Sequence, residues 1–308
     1  MYYIDPIDTS AAQILAGTSV TEPAAAGETA WVSGGTYVIG DLRIRSTTHR
    51  VYKSLQAHTG RTALPEADPT YWQDVTPTQL WAPFDFYAST AASSTTADIT
   101  YVISGRYVTS IWVDGLAGTA VSVSAKDATG GTVVFTASQN LKKPALGYWD
   151  YAYGKRTFVT AALFTGLPIY PAAEITVTVS AGSGSTRKLG SLVRGKALAL
   201  QGAGWGGTEW GPKAIPKTFT YRKVADDGTF TLQLRGSAVD LDCNAMIDVA
   251  YADDAVASLV SLQGRPIVWL ASLLPGFDGL RTRGIAKPTV TYNTAHAIIS
   301  NYIEGIVQ

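Results

Sequence analysis

The stretch that decides the fold begins Trp31-Val32-Ser33-Gly34-Gly35-Thr36-Tyr37-Val38-Ile39-Gly40-Asp41. It runs on through Thr48-His49-Arg50-Val51-Tyr52 and Asp68-Pro69-Thr70-Tyr71-Trp72, and it closes at Leu80-Trp81-Ala82-Pro83-Phe84-Asp85. Aromatic residues recur at short intervals and are separated by glycine, proline and small polar residues. This pattern predicts a small domain of short strands and tight turns, in which aromatic rings form most of the core.

The spacing of these residues resembles that of the small carbohydrate-binding module of chitinases and related proteins. The matching positions cover about a sixth of the chain and are Trp31, Tyr37, Gly40, Asp41, Tyr52, Gly60, Pro65 and Trp72. The longer version, with Trp81-Ala82-Pro83-Phe84-Asp85 behind it, resembles a domain found in tail proteins of bacteriophages. A short N-terminal helix before the module, and Trp149-Asp150-Tyr151 in a β-rich body after it, extend the phage resemblance. The turn Thr47-Thr48-His49-Arg50 departs from the family, which has a glycine-containing hairpin turn there.

Composition indicates a neutral, weakly charged chain that is rich in strands and turns. Of the 308 residues 16% are charged, and 24 basic residues balance 24 acidic ones. A chain without net charge has little electrostatic protection against self-association, and it lacks the positive excess with which proteins bind nucleic acid. The 30 glycines and 14 prolines are typical of many short strands and turns.

The single cysteine and the hydropathy pattern indicate where the protein is made and located. Cys243 excludes an internal disulfide and is expected to be a small buried apolar residue. The first residues show neither a basic start nor an apolar run, and no apolar stretch approaches the ~18–20 residues that span a bilayer. We therefore expect no membrane insertion. For a phage protein, this predicts synthesis in the host cytoplasm and incorporation into the virion.

The chain order predicts a mainly β fold: a small aromatic-rich β module followed by two β-sandwich-like domains, with one or two short helices. The boundaries are 1–27 for an N-terminal helix and linker and 28–78 for the carbohydrate-binding-module-like domain. A β-sandwich follows at 79–188, and a second β-rich domain with one helix at 189–308. No internal repeat indicates a solenoid.

Local patterns predict the individual elements. Asp8 or Thr9 is expected to cap a helix over residues 10–16, which Gly17 ends. Asp253 or Asp254 is expected to cap a second helix over residues 254–262, which Gly264 ends. Period-two alternation predicts half-buried strands at 99–103, 107–113, 121–124, 175–180 and 298–307. A further half-buried strand carries Phe230, Leu232 and Leu234 behind the turn Asp227-Gly228, and residues 267–270 form a fully buried strand.

Two strings and the three histidines are candidates for ligand-binding motifs, but each lacks the neighbouring residues or the spacing that such a site needs. Residues 202–207 match the dinucleotide fingerprint, but Pro212 and Pro216 follow where a helix is needed. Asp240 opens a calcium-like loop that has Ala245 and Tyr251 where glycine and glutamate are required. The three histidines show no metal-ligand spacing. The sequence predicts a non-enzymatic protein without catalytic residues, metal or cofactor.

The candidate binding residues are aromatic. Trp31, Tyr52 and Trp72 are expected to belong first to the core of the module, together with Tyr37. Tyr71 and Trp72 are adjacent on an extended strand, so one faces in and the other out, and Tyr71 is the candidate for an exposed ring that stacks on a sugar. Trp205 and Trp210, in a glycine-rich surface loop, are candidate interface residues, because exposed Trp is enriched in interface centres.

Together these features predict a structural component of a phage tail, at the tip, baseplate or fibre attachment. Its partners are other copies of itself and other tail proteins, with host-surface polysaccharide as a further partner of the module. The unusual turn leaves open whether the module binds sugar or serves as a spacer or docking unit. The alternative function is a stand-alone carbohydrate-binding protein, or the binding portion of a glycan-degrading enzyme. No nucleic-acid partner is expected.

Overall fold

The chain is mainly β in a computed structural model that describes residues 1–24, 27–86, 90–200, 205–224, 226, 228–274 and 276–307. In chain order the strands are β1 (Tyr2–Pro6), β2 (Thr36–Tyr37), β3 (Leu42–Arg45), β4 (Arg50–Ser54), β5 (His58–Thr59), β6 (Trp72–Pro77), β7 (Ala92–Ser94), β8 (Ile99–Ser104), β9 (Ser110–Asp114), β10 (Ala120–Lys126), β11 (Val133–Asn140), β12 (Ala162–Thr165), β13 (Glu174–Ser180), β14 (Arg187–Leu189), β15 (Ser191–Ala199), β16 (Gly207–Thr208), β17 (Lys213–Thr218), β18 (Tyr221–Val224), β19 (Phe230–Gln233), β20 (Ser237–Asp248), β21 (Ile267–Leu270), β22 (Arg281–Tyr292) and β23 (His296–Gly305).

Helices are few, which confirms the predicted fold class. The part of the chain that the structure describes has two α-helices, α1 (Tyr148–Tyr153) and α2 (Ala252–Leu262). Single 3-10 turns occur at Ala11–Gln13, Pro65–Ala67, Ala82–Phe84, Val249–Tyr251 and Asp278–Leu280. The helix α2 matches the expected one, and Gly264 with φ +77° follows its end. Its cap differs, because the side chain of Asp248 accepts from the Ala250 amide and caps the 3-10 turn that leads into α2.

The chain divides into two compact units. Unit 1 comprises Met1–Ile7, Val108–Ile111 and Val193–Gln308, and unit 2 comprises Asp8–Tyr107 and Trp112–Leu192. The predicted module at 28–78 is therefore part of unit 2, together with most of the residues between 79 and 192.

Unit 1 is built on an antiparallel sheet with the strand order β15-β1-β21-β22-β23-β20-β16, and β17 also pairs with β20. The long strands β20, β22 and β23 alternate buried and exposed residues over much of their length, as expected for a sheet with one covered face. The strand β21 is buried throughout, as the sequence predicted. The apolar core includes Ala252 and Leu259 of α2, and its large sheet residues are Tyr3, Leu241, Ile247, Ile267, Trp269, Ile299 and Ile303.

Unit 2 contains several smaller sheets. In the module, β3, β4 and β6 form a three-stranded sheet and β2 pairs with β5. Beyond the module, a four-stranded antiparallel sheet has the order β11-β10-β13-β8, and β7 pairs with β14. Register places Tyr101 beside Val177 and Val177 beside Val123, and all three are buried. This stripe confirms the strands predicted from period-two alternation in β8, β10 and β13.

The predicted N-terminal helix is wrong. Residues 11–13 form only a 3-10 turn, preceded by Ser10, whose amide donates to Oε1 of Gln13 at 3.0 Å. The next residues lie along β8 instead, because the Leu15 amide donates to the Val102 carbonyl at 2.7 Å. The first residues of the chain are not part of a linker region either. They form β1, which pairs with both β15 and β21.

Two further predictions in the β-rich part of the chain are corrected. Tyr107 does not belong to a strand: its φ is +62°, its ring is exposed, and β9 begins only at Ser110. All five residues of β9 are buried, so the alternation expected there is absent. The side chain of Trp112 donates to Oδ2 of Asp114 at 2.9 Å, which lets this polar pair lie in the interior.

Candidate binding surfaces

An aromatic cluster joins the two small sheets of the module. Tyr37, Tyr52 and Trp72 are buried, as predicted. The rings of Tyr37 and Trp72 meet edge to face, with centroids 5.0 Å apart, an arrangement that aromatic quadrupoles favour. The Tyr37 hydroxyl donates to the Val32 carbonyl at 2.7 Å and accepts from the Val32 amide at 2.8 Å. These rings therefore form the core of the module and leave no open face for a ligand.

His58 belongs to the same cluster, and sequence reasoning missed it. Its ring lies 5.3, 5.1 and 5.2 Å from those of Tyr37, Tyr71 and Trp72, measured between centroids. The Nδ1 atom lies 2.9 Å from the carbonyl of Gln56 and donates to it. The pairing of β2 with β5 places His58 beside Tyr37. Because β3 and β4 lie between these two strands in the chain, no local pattern in the sequence predicts that pairing.

Tyr71 and Trp31 lie at the edge of the cluster and are both partly buried. Trp72 faces in and Tyr71 lies outside it, as alternation predicted, but the Tyr71 ring is not free. The guanidinium of Arg61 lies 3.7 Å from its centroid and forms two hydrogen bonds, at 3.0 and 2.7 Å, with buried Asp68. Trp31, predicted as core, packs against the cluster but is only partly buried, with Arg45 5.2 Å from its ring. A cation–π contact thus covers one face of each of these two rings.

The turn without glycine is held by tertiary contacts. His49 has φ +56°, a left-handed conformation that is usually adopted by glycine. Its Nδ1 lies 2.8 Å from the Glu22 carboxylate, and its ring lies 4.4 Å from that of Trp81, centroid to centroid. The Thr78 amide donates to its carbonyl at 3.0 Å. The residues before and after the module therefore fix the turn.

The reverse face of the module's three-stranded sheet lines a cavity of about 300 Å³. Leu42, Ile44 and Val51 supply its apolar wall, since they alternate with the residues that face the aromatic cluster. The carboxylate of Glu28 lies at its edge and accepts from the amides of Ala24 and Gln79, both at 2.7 Å. This carboxylate therefore links two backbone segments of unit 2 by hydrogen bonds.

Among the described residues of unit 2, the most exposed aromatic side chains lie outside the module, on α1. Tyr148, Trp149, Tyr151 and Tyr153 are between 67 and 80% exposed. Sequence reasoning placed Trp149 and Tyr151 in a β-rich body and missed this helix. The local pattern did not reveal the helix, because Trp149, Tyr151 and Tyr153 alternate with Asp150 and Ala152 in the period-two manner of a strand.

Exposed apolar side chains in unit 1 lie on the hairpin of β18 and β19 and near β16. Register puts Val224 opposite Phe230, with Leu232 on the same face. These residues were expected to face a core on one side, yet both strands are exposed along their whole length. Of the predicted interface residues, Trp210 is 98% exposed, whereas Trp205 is 44% exposed and its indole N–H donates to Asp248 at 3.2 Å.

Asp240 of strand β20 accepts hydrogen bonds from the neighbouring strands β17 and β23. Its carboxylate accepts from Lys217 at 2.7 Å, from the Tyr302 hydroxyl at 2.7 Å and from the Gly305 amide at 2.8 Å. Burial alone would raise the pKa of Asp240, but these hydrogen bonds outweigh it and hold that pKa below its ordinary value. Across the described ranges, no group of three or more His, Cys, Asp or Glu side chains is placed to hold a metal ion.

The glycine-rich string at 202–207 falls partly outside the described residues, which omit 202–204. Its last glycine begins strand β16, and β17 follows, where a dinucleotide site needs a helix. Asp227 of the predicted turn also lies outside the described residues, and Gly228 has φ +83°. No helix in the described part of the chain is long and apolar enough to cross a bilayer. Comparison of the chain with protein-family models, curated proteins and solved structures finds no match.

Proposed function

We propose that the protein is a structural component of a bacteriophage tail, at the tip, baseplate or fibre attachment. It works through contacts with other copies of itself and with other tail proteins, and it catalyses no reaction. In this role it is made in the host cytoplasm and resides in the virion. The phage assignment rests on the resemblance of residues 31–85 to phage tail domains. The assembly role rests on the apolar hairpin of unit 1.

The hairpin carries the assembly role because its sequence has the pattern of a half-buried strand without a core against it. Val224, Phe230, Leu232 and Leu234 are between 49 and 79% exposed. The guanidinium of Arg222 lies 4.9 Å from the Phe230 ring, and no other ring or charged group among the described residues contacts that ring. A contiguous apolar face of this kind favours a protein partner, and a strand edge beside it can pair with another strand.

Two further features support assembly. Trp210 projects into solvent in unit 1, and large aromatic residues are the commonest anchors at the centres of protein interfaces. The balanced, low charge of the chain removes the repulsion that keeps copies apart. A ring of trimeric or hexameric symmetry is the arrangement that suits a tail.

The assembly role is tested by sedimentation velocity on the full chain and on the double variant Phe230→Ser, Leu232→Ser. Removing two apolar side chains from an interface costs at least about 3 kcal/mol, which is roughly a hundredfold in Kd. The double variant should therefore sediment as a smaller species with an unchanged melting temperature. Thr231→Ser, on the opposite face of β19, is the matched control and should behave as the unmodified chain.

The phage assignment has a separate test. Mass spectrometry of purified virions from the phage that encodes the chain should identify it, and negative-stain imaging with an antibody should place it on the tail. A chain that stays monomeric at every concentration and is absent from virions would refute the proposal.

A second candidate function is glycan binding by a stand-alone carbohydrate-binding protein, or by the binding portion of a glycan-degrading enzyme. The partly exposed rings of Trp31 and Tyr71 at the edge of the module favour it. Tyr71→Ala should then weaken binding on a glycan array of the full chain while the melting temperature changes little. Absence of any glycan signal from the folded chain would leave the module as a spacer or docking unit. Release of sugar by the protein would overturn its assignment as a non-enzyme.

A further inference from the structure

A closed loop in unit 2 displays the aromatic helix α1. The amide of Lys143 donates to the Thr157 carbonyl at 3.0 Å, and the Val159 amide donates to the Leu141 carbonyl at 2.7 Å. We call residues 143–157 the aromatic loop. Compact loops whose ends are tied together by backbone hydrogen bonds are frequent sites of binding.

The aromatic loop is ordered by its own contacts. The carboxylate of Asp150 accepts from the Leu146 amide at 2.8 Å, and the Gly154 amide donates to the Asp150 carbonyl at 2.9 Å. Trp149 and Tyr153, one helical turn apart, stack with centroids 5.8 Å apart. These contacts hold exposed rings in fixed positions, which lowers the entropy cost of binding a ligand.

A cavity of about 450 Å³ lies in the same loop, lined by residues 143–146, 150 and 155–157, and Arg156 connects this lining to the Tyr151 ring. Its charged lining is Lys143, Lys155 and Arg156 against the single carboxylate of Asp150. The Arg156 guanidinium also lies 5.1 Å from the Tyr151 ring, so cationic and aromatic groups are interleaved. The size is in the range of about 300–1,000 Å³ typical of small-ligand sites, and the excess of cations favours an anionic ligand.

We infer that the aromatic loop binds an acidic polysaccharide. The C–H faces of sugar rings pack on Trp149 and its neighbouring tyrosines, while carboxylate or phosphate substituents pair with Lys155 and Arg156. The inference rests on the proposed function in one respect, because a bacterial surface polysaccharide is a ligand that a tail protein encounters. It adds a binding site outside the module and a chemical class for the ligand.

A bilayer surface fits the aromatic loop less well. Insertion among lipids requires an apolar tip, but the tyrosine rings carry hydroxyl groups, and Leu146 is the one large aliphatic residue in this segment. The cavity also places the Asp150 carboxylate among the cations, and hydroxyl groups of a sugar chain can donate hydrogen bonds to that carboxylate.

The test is calorimetric titration of the full chain with polygalacturonate oligomers, which carry carboxylates, and with phosphomannan oligomers, which carry phosphates. Neutral galactan oligomers are the uncharged control, and phosphatidylglycerol vesicles represent a membrane. We expect binding to at least one acidic probe, no binding to galactan, and weaker binding as salt is raised. Trp149→Ala and Lys155→Gln should each weaken binding about tenfold. Tyr107→Ala and Lys188→Gln, exposed residues outside both the aromatic loop and the assembly hairpin, are the matched controls and should leave it unchanged.

The outcomes separate this inference from the proposed function. Binding to neither acidic probe, binding to vesicles alone, or binding that Trp149→Ala leaves unchanged would each overturn the inference. Self-association is measured on the same preparation by sedimentation, and the location in virions is measured independently. A chain that binds acidic glycan but neither assembles nor occurs in virions would overturn the proposed function and leave the site in place.

Discussion

Replacing Trp72 with alanine should unfold the module, whereas the same replacement at Trp31 should not. Trp72 is 2% exposed and contacts the rings of Tyr37 and His58. Trp31 has the same side chain at the edge of the same cluster and is only partly buried. The two substitutions therefore remove identical atoms from different surroundings, which makes them a matched pair.

The magnitude follows from the buried area. A tryptophan side chain buries about 150–250 Å², which at about 25 cal/mol per Å² gives an upper bound of roughly 4–6 kcal/mol for Trp72. Measured truncations of large buried aromatic residues cost about 3–5 kcal/mol. Trp31 keeps part of its surface in water, so its removal should cost less than that of Trp72, about 2–4 kcal/mol.

Hydrogen exchange read by mass spectrometry suits this comparison, because a protein of two units need not unfold in one step. In Trp72→Ala, amides of β3, β4 and β6 should lose most of their protection, while amides of β20, β22 and β23 keep theirs. In Trp31→Ala, protection of the module should fall modestly. Equal losses in the two variants, or a larger loss for Trp31→Ala, would refute the assignment of Trp72 as the central core residue.

Three further predictions concern single groups. Tyr37→Phe removes a hydroxyl that bonds the amide and the carbonyl of Val32. The substitution should therefore lower the free energy of unfolding by about 1–3 kcal/mol, measured as a lower melting temperature. Because the pKa of Asp240 is lowered in the folded state, its stabilising effect is present above its ordinary pKa of about 4 and is lost as pH falls through the lowered value. Below about pH 4, the urea concentration at the midpoint of unfolding should therefore fall more steeply with falling pH for the unmodified chain than for Asp240→Asn. Parallel plots of this midpoint against pH would contradict the prediction. Burial raises the pKa of Cys243 to about 11, so iodoacetamide at about pH 8 should label it slowly in the native protein and rapidly in guanidinium chloride; rapid native labelling would contradict its buried position.

Much of the strand content was predictable because half-buried strands carry a local signature. Val123 and Val177 lie between serine or threonine neighbours, and each faces the interior of unit 2. The end of α2 was also predictable, because Gly264 takes a positive φ that few other residues adopt. The same local reasoning failed for the N-terminal helix. There the Leu15 amide finds a partner in Val102, a residue far along the chain.

The candidate sites were less predictable than the strands. Trp72 and Tyr71 were assigned to opposite sides of one strand, which alternation alone dictates. That Arg61 lies over the Tyr71 ring depends on a loop whose path is fixed by Asp68. The helix of the aromatic loop was missed because its rings serve no core and because Trp149, Tyr151 and Tyr153 alternate with the period of a strand.

The sequence by itself determined the mainly β class, the aromatic core of the module and the apolar face of the hairpin, because each depends on residues close together in the chain. Only the tertiary structure decided what lies against each face. It paired β1 with strands from distant parts of the chain, let His49 replace a turn glycine by bonding Glu22, and left Phe230 and Leu232 exposed. A local sequence pattern predicts that a face is apolar, but long-range packing determines which surface covers that face.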